Sequence, residues 1–342
     1  MNAIGTTMLD PLLIWLQFFF CLGVIAVAGL RLSRYGVAIA ALTGLSRNWI
    51  GLVLVATVTS LPELVTGLSA VTVAQAPDIA VGNILGACVL NLAMLALIDV
   101  LYRKETIYAV AGRGHVLTAS FGILLLAAAG FGLLPATRAL LPPIGHIGMV
   151  SLLIVALYLI AMRTLYLAEQ RRTAPPAPAP EPAIMTLKSA VMGYGIASMA
   201  IIGGGILLPL VGVELAQVMG WSDSFVGSLL IALATCMPEL ATTWGAIRLG
   251  AVDLALGNLL GSNIFNLLIL ALDDFAYLPG PIYDDTSPLL AVSALIAALM
   301  SATVIAGLML RPASRLGRSV NWVSLLLVAF YLLNAAVQYL HG

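Results

Sequence analysis

The chain has 342 residues, 61% of them hydrophobic and 9% charged, with a formal net charge of zero. A soluble domain carries about 25% charged residues, so this composition excludes an ordinary water-soluble fold, and the balanced charge gives no bulk attraction to nucleic acid. Apolar runs of the roughly 20 residues that cross a bilayer core recur along the chain, without the short alternating segments of a membrane β-barrel, so the expected class is an all-α membrane protein embedded in the lipid bilayer.

In chain order, the first apolar stretch, Pro11 to Leu30, follows no basic segment and is too long for a signal-peptide core, so it reads as a span. Ten transmembrane helices are predicted, at 11–31, 48–74, 78–101, 115–134, 146–168, 190–213, 225–248, 252–275, 288–310 and 320–340. Charge tests this count, because cytoplasmic loops collect Lys and Arg. The odd-numbered loops hold Arg31, Arg34 and Arg47; Arg103, Lys104 and Arg113; Arg163, Arg171, Arg172 and Lys188; Arg248; and Arg311, Arg315 and Arg318, whereas the even-numbered loops hold Arg138 alone. A miscounted span would mix the two sets, so both termini are expected outside the cytoplasm. Asp273, Asp274, Asp284 and Asp285 then fall in the eighth loop, on the outside. The central loop contains Thr173 to Pro182, TAPPAPAPEP, an extended linker that cannot build a core. It divides the chain into a first half, 1–168, and a second, 188–342, joined by a Pro/Ala-rich cytoplasmic linker at 169–187.

The halves repeat each other. GLVLVATVTSLPELVTGLSAV from Gly51 matches GSLLIALATCMPELATTWGAI from Gly227 at an offset of 176 positions, pairing Thr59 with Thr235, Pro62 with Pro238 and Glu63 with Glu239. After a one-residue gap, DIAVGNILGACVLNLAMLALID from Asp78 matches DLALGNLLGSNIFNLLILALDD from Asp253, pairing Gly82, Asn83, Gly86 and Asn91 with Gly257, Asn258, Gly261 and Asn266. Five spans per half is an odd number, so the second half enters the membrane upside down, the inverted-repeat plan of many secondary transporters.

Glu63 and Glu239 sit near the middles of the second and seventh spans, where a charge costs roughly 2.5–3.5 kcal/mol on the insertion scale and marks an ion or proton pathway. Pro62 and Pro238 precede them and free the carbonyls of Val58 and Ala234. Carboxylate, hydroxyl and carbonyl oxygens together are what a hard divalent cation requires, and Ca²⁺ accepts about 6–8 of them in flexible geometry. Two glutamates neutralise a divalent ion, and Na⁺ or protons can compete for the same oxygens. Asn91 and Asn266 are placed to reach the ion, while the GxxxG pairs serve close helix packing. Asp99 and Asp274 are expected as solvated caps at span ends. His115, His146 and His341 read as interfacial, and Cys21, Cys88 and Cys236, without a CxxC pair, as small buried hydrophobes.

VTSLPE with GNILGACVLN, and ATCMPE with GNLLGSNIFN, resemble the paired motifs of the calcium/cation antiporter superfamily, specifically the prokaryotic-type sodium/calcium exchanger membrane domain. The resemblance covers both halves. It implies that Glu63 and Glu239 bind Ca²⁺ alternately with Na⁺, with contacts from Thr59, Ser60, Thr235, Asn91, Ser262 and Asn266. It also implies that the first and sixth spans slide across a fixed core, and that the chain sits in a bacterial inner membrane. The implied function is exchange of Ca²⁺ for Na⁺, with no enzymatic activity, no cofactor and no obligatory protein partner.

Some positions depart from the pattern. Val58 and Ala234 replace a glycine, Cys236 replaces a serine, and Ala87 replaces the serine of the first GS pair. The last two changes remove hydroxyls, and a thiol is a poor Na⁺ ligand, which opens H⁺-coupled exchange of Ca²⁺ or another divalent cation as the alternative. Potassium-dependent relatives resemble this sequence but carry Asp where Asn266 stands, so a K⁺-dependent Na⁺/Ca²⁺ exchanger is a further alternative, one that the neutral amide weakly disfavours.

Overall fold

The structure, a computed structural model, describes residues 11–43, 57–102, 105–170, 185–312 and 321–341. Apart from one isolated bridge between Ile144 and Ile147, the regular structure among them is helical. The membrane helices are α1 (Pro11–Thr43), α2 (Leu61–Thr72), α3 (Pro77–Leu101), α4 (Gly114–Gly132), α5 (Met149–Gln170), α6 (Leu187–Met219), α7 (Asp223–Thr235), α8 (Met237–Arg248), α9 (Val252–Ala276), α10 (Leu290–Leu310) and α11 (Trp322–His341). Eight are long and apolar enough to cross a membrane, and α7 with α8 form a ninth span bent by 46°. The span expected at 48–74 is described from residue 57 onward, a helical turn at 57–59 leading into α2. The linker residues 171–184 lie outside the described residues.

The first and sixth spans are longer than expected, at 33 residues each. At 1.5 Å per residue such a helix is about 50 Å long, against a hydrocarbon core of about 30 Å. Arg31 and Arg34 did not end α1, because both are solvent-exposed along the helix and a long side chain can carry its charge away from an apolar stem. Helices of this length exceed that core and must tilt or extend beyond it. They pack against each other along their length. Ala28, Leu32, Val58, Ala197 and Ile201 form a small apolar cluster there, separate from the main core.

The main core is built around α3 and α9, the helices with the largest buried share. They cross where Cys88 meets Asn263, two repeat-equivalent positions. The Asn263 amide donates to the Cys88 carbonyl at 3.2 Å, and the Cys88 thiol faces the Asn263 carbonyl at 3.9 Å. This reciprocal pair lies on the pseudo-two-fold axis. Gly82 and Gly86 of α3 take the packing role expected of them. A Cβ on Gly86 would stand 2.6 Å from the Cα and carbonyl carbon of Ser228 and closer still to its oxygen, and one on Gly82 3.1 Å from its amide nitrogen, so α3 rides directly on the backbone of α7.

The same symmetry governs the helix ends. The turns before α3 and α9 each use a left-handed residue, Gln75 at φ 51° and Gly250 at φ 74°. A non-glycine pays for that conformation, and the Gln75 amide offsets it by donating to the carbonyls of Val71 at 2.8 Å and Thr72 at 3.2 Å. Asp78 accepts from the Ser287 amide at 2.6 Å, and its counterpart Asp253 accepts from the Gly112 amide at 2.7 Å.

Asp99 and Asp274 correct the expectation of solvated caps, and Asp273 and Asp274 lie within α9 rather than in the following loop. All three are fully buried. Asp99 accepts from the Ile107 amide, the Asn321 side chain and the Ser324 hydroxyl, each at 2.9 Å. Asp274 accepts from the Ile282 amide at 2.7 Å and the Gly148 amide at 2.8 Å. Each carboxylate thus holds the amide of an isoleucine eight residues on and the entry to the last helix of the opposite half. Its burial is compensated by charge-assisted hydrogen bonds rather than by water. Tyr283 follows one of these isoleucines, and burial beside Asp274 pushes its phenol above the ordinary value. His115, at the start of α4, is buried against the exposed Asp253 at 2.9 Å.

Candidate cation site

Two broken helices meet at the centre of the fold. α2 and α8 each begin immediately after a residue held near φ −80° and ψ 0°, the sparsely populated bridge region: Ser60 at −86° and 12°, Cys236 at −77° and 3°. These positions are repeat-equivalent, and each is followed two residues later by the proline that cannot continue the hydrogen-bond ladder. In the second half the approach is further loosened by a π-helical stretch, Val226–Ile231, a geometry frequent at functional sites. Glu63 and Glu239 fall in the first turns of α2 and α8, where the unpaired amides and the helix dipole favour negative charge.

Both glutamates are fully buried. Glu239 Oε1 accepts from Ser60 at 3.1 Å and from Ser262 at 3.3 Å, and Thr59 lies beside it. Glu63 lies against Thr235 and Cys236. Each half's carboxylate therefore sits among polar side chains from the other half's break. Neither oxygen of Glu63 has a hydrogen-bond partner, nor has Glu239 Oε2. Buried oxygens without donors are costly unless something else neutralises them.

The amides complete the centre. Asn266 is fully buried with neither side-chain atom partnered. Asn91 donates to Asn263 Oδ1 at 3.0 Å and leaves its own oxygen unpaired. Thr235 donates to Asn83 Oδ1 at 3.0 Å. All eight expected residues, Thr59, Ser60, Glu63, Asn91, Thr235, Glu239, Ser262 and Asn266, are buried. Ser60 and Ser262 converge on Glu239, whereas Asn91 and Thr235 are engaged with neighbouring asparagines. Those partners, Asn83 and Asn263, were not singled out by sequence, although Asn83 stands in the repeated GNxxG string. Among the described residues no three His, Cys, Asp or Glu side chains are grouped as a metal cage. Beside the two carboxylates the centre presents hydroxyl and amide oxygens, a donor set that suits a hard ion.

The flanking helices approach closely. Gly29 of α1 lies against the ring of Pro238, well inside the space a side chain would need, and a Cβ on Gly205 of α6 would stand 2.8 Å from Val65 of α2. Gly29 and Gly205 are separated by the repeat offset.

Fold and centre together define a polytopic helical membrane protein with inverted repeats around a buried carboxylate pair. The sodium/calcium exchanger protein family model matches residues 13–167 and 189–340, so the chain belongs to that family. It is 30% identical over 225 residues to "Putative antiporter CaxA" of Alkalimonas amylolytica, covering 64% of this chain and 66% of that protein. It is 28% identical over 224 residues to "Inner membrane protein YrbG" of Escherichia coli strain K12, again covering 64% and 66%. The matched segment thus spans just under two thirds of those relatives. A shorter match, 44% over 63 residues and 18% of each chain, is to "Sodium/calcium exchanger MaX1" of Methanosarcina acetivorans. The fold is similar to that of "H+/Ca2+ Exchanger CAX", with a TM-score of 0.70 at 18% identity over 95% of this chain and 85% of that one. It is also similar to the sodium-calcium exchanger NCX_Mj, with a TM-score of 0.59 at 19% identity over 96% and 99%.

Proposed function

We propose that the protein is a secondary active antiporter that exchanges Ca²⁺ for Na⁺ across a bacterial inner membrane by alternating access, with its termini outside the cytoplasm. The observation that carries this reading is the pair of fully buried, repeat-equivalent glutamates, three of whose four carboxylate oxygens have no protein donor. Two carboxylates balance one divalent cation, and Thr59, Ser60, Thr235, Asn91, Ser262 and Asn266 supply neutral oxygens around it. Na⁺ entering the same oxygens displaces Ca²⁺, and that competition couples the two fluxes. The halves 1–168 and 188–342 form the two repeats, joined through a cytoplasmic linker at 169–187. The glycine contacts of α1 on Pro238 and of α6 on Val65 support sliding of that helix pair past the broken helices as the access step.

The second reading, H⁺ as the counter-ion, is favoured by Ala87 and Cys236. Both are fully buried, and both stand where a hydroxyl would have served Na⁺. The test is Ca²⁺ uptake into proteoliposomes of the purified chain under an imposed Na⁺ gradient and, separately, an imposed pH gradient. Uptake driven by Na⁺ supports the first reading. Uptake driven by pH and indifferent to Na⁺ supports the second, and uptake with neither contradicts antiport.

A further inference from the structure

One buried carboxylate takes no part in the centre or in the helix-end locks. Asp273 of α9 is fully buried, and neither of its oxygens has a hydrogen-bond partner. It points at α2. A Cβ on Gly67 would stand 2.7 Å from Asp273 Oδ1 and closer still to Oδ2, so the carboxylate fills the space that only glycine leaves open there.

Its position aligns with the cation site along both helices. Gly67 is one turn beyond Glu63 on the same face of α2, about 6 Å along the axis. Asp273 is two turns beyond Asn266 on the same face of α9, about 10 Å along that axis. It therefore stands on the α2–α9 seam, between the glutamate pair and the end of the molecule where Asp78 meets Ser287.

The repeat makes this acid conspicuous. Its counterpart in the first half is Ile98, and the counterpart of Gly67 is Thr243, whose hydroxyl accepts from the Asn258 amide at 3.1 Å. One side of an otherwise two-fold centre is thus closed by a neutral hydrogen bond, and the other carries an uncompensated carboxylate. Once Glu63 and Glu239 have neutralised a divalent ion, this third carboxyl group is left to hold one monovalent cation or one proton.

We propose that Asp273 is a station for the monovalent counter-cation, Na⁺ or H⁺, on the path between the glutamate pair and the 277–289 end of the molecule. This rests on the antiport reading given above. The other ionisable groups around it are Asp274, the next residue on α9, Tyr283, and Glu63 one turn away along α2.

The experiment compares wild type with Asp273→Asn and Asp273→Glu in proteoliposomes. It records Ca²⁺ exchange against Na⁺ concentration and against pH, with Ca²⁺ binding to the detergent-purified proteins measured alongside. The expected result for Asp273→Asn is unchanged Ca²⁺ binding with exchange lowered about tenfold or more, the equivalent of roughly 1.4 kcal/mol. Its dependence on one counter-ion shifts, and Asp273→Glu partly restores it. A shift in the Na⁺ curve identifies Na⁺, and a shift in the pH profile identifies H⁺. Gly67→Ala, which drives a methyl group into the carboxylate, serves if Asp273→Asn fails to fold, and it is expected to give the same shift. Exchange by either variant at the wild-type rate, with both curves unmoved, overturns the proposal. Weakened Ca²⁺ binding with unshifted curves overturns it too, by making Asp273 a structural group. A wild-type chain that exchanges Ca²⁺ under neither gradient contradicts the antiport reading itself and removes the basis of this one.

Discussion

At the scale of single residues, the chemistry turns on which oxygens around Glu63 and Glu239 remain free. Ser60 and Ser262 each give their proton to the same oxygen of Glu239, while Glu63 has only Thr235 and a thiol beside it. The two carboxylates are symmetric in sequence and asymmetric in surroundings, and Cys236 and Ala87 account for the difference, since their counterparts Ser60 and Ser262 carry the hydroxyls that donate to Glu239. Restoring the hydroxyls should therefore move the counter-ion preference. Cys236→Ser combined with Ala87→Ser is expected to raise the Na⁺ sensitivity of Ca²⁺ uptake several-fold in proteoliposomes, about 1 kcal/mol for a neutral hydrogen-bonding group gained. An unchanged Na⁺ curve would show that these positions do not touch the counter-ion.

The proline-glutamate pairs were readable in the sequence because they break two local rules at once, a charge and a proline in an apolar span. Asp99 and Asp274 were misread for the opposite reason. At a span end an acid breaks no rule, and nothing local reveals that the chain returns eight residues later to present an isoleucine amide. Asp99→Ala leaves the Ile107 amide, the Asn321 side chain and the Ser324 hydroxyl without this acceptor. At about 1–3 kcal/mol per buried donor left unpaired, a clear fall in thermal stability of the detergent-solubilised protein is expected, larger than that of Asp253→Ala, whose side chain is 65% exposed.

At the scale of elements, the broken helices and the glycine contacts explain each other. A half-helix that begins at depth needs a neighbour close enough to exclude lipid from its free backbone groups, and Gly82 and Gly86 bring α3 onto the backbone of α7 at that depth. Gly86→Val is expected to destabilise by more than the roughly 1–3 kcal/mol of ordinary overpacking, because the obstacle is backbone that cannot change rotamer. Thermal unfolding in detergent checks this. The GxxxG spacing made the packing role legible. The partner did not follow from the sequence, since α3 of the first half packs on α7 of the second. The lengths of α1 and α6 were also hidden, because hydropathy marks the segment in lipid and says nothing of where a helix with exposed basic residues, Arg31 and Arg34 on α1 and Lys188 on α6, begins or stops. If these two helices slide, Gly29→Val should slow transport while leaving Ca²⁺ binding near the wild-type value. A loss of binding of equal size would make the glycine part of the site's structure instead.

At the scale of the whole molecule, the inverted repeat is written in contacts as well as in motifs. Cys88 faces Asn263 across the axis, Asp99 and Asp274 repeat one lock, and Asp78 and Asp253 repeat another. Two near-equivalent halves can exchange conformations, which gives an alternating-access machine two states of similar energy without a separate device for each. The span count and the duplication were legible from charge and motif. The interlocking of the halves was not, because each cross-contact joins residues more than a hundred positions apart.

The most direct test of the central claim is Ca²⁺ binding and Ca²⁺ uptake by wild type, Glu63→Gln and Glu239→Gln, with folding verified for each by gel filtration. Both variants are expected to remain folded, since glutamine keeps the side chain's shape while removing the cost of a buried charge, and an amide oxygen at 239 can still accept from Ser60 and Ser262. Both are expected to lose Ca²⁺ affinity and uptake by more than the roughly 10–100-fold that loss of an outer-shell partner costs a metal site. Folded variants that bind and transport Ca²⁺ as wild type does would contradict the assignment of the cation to this pair.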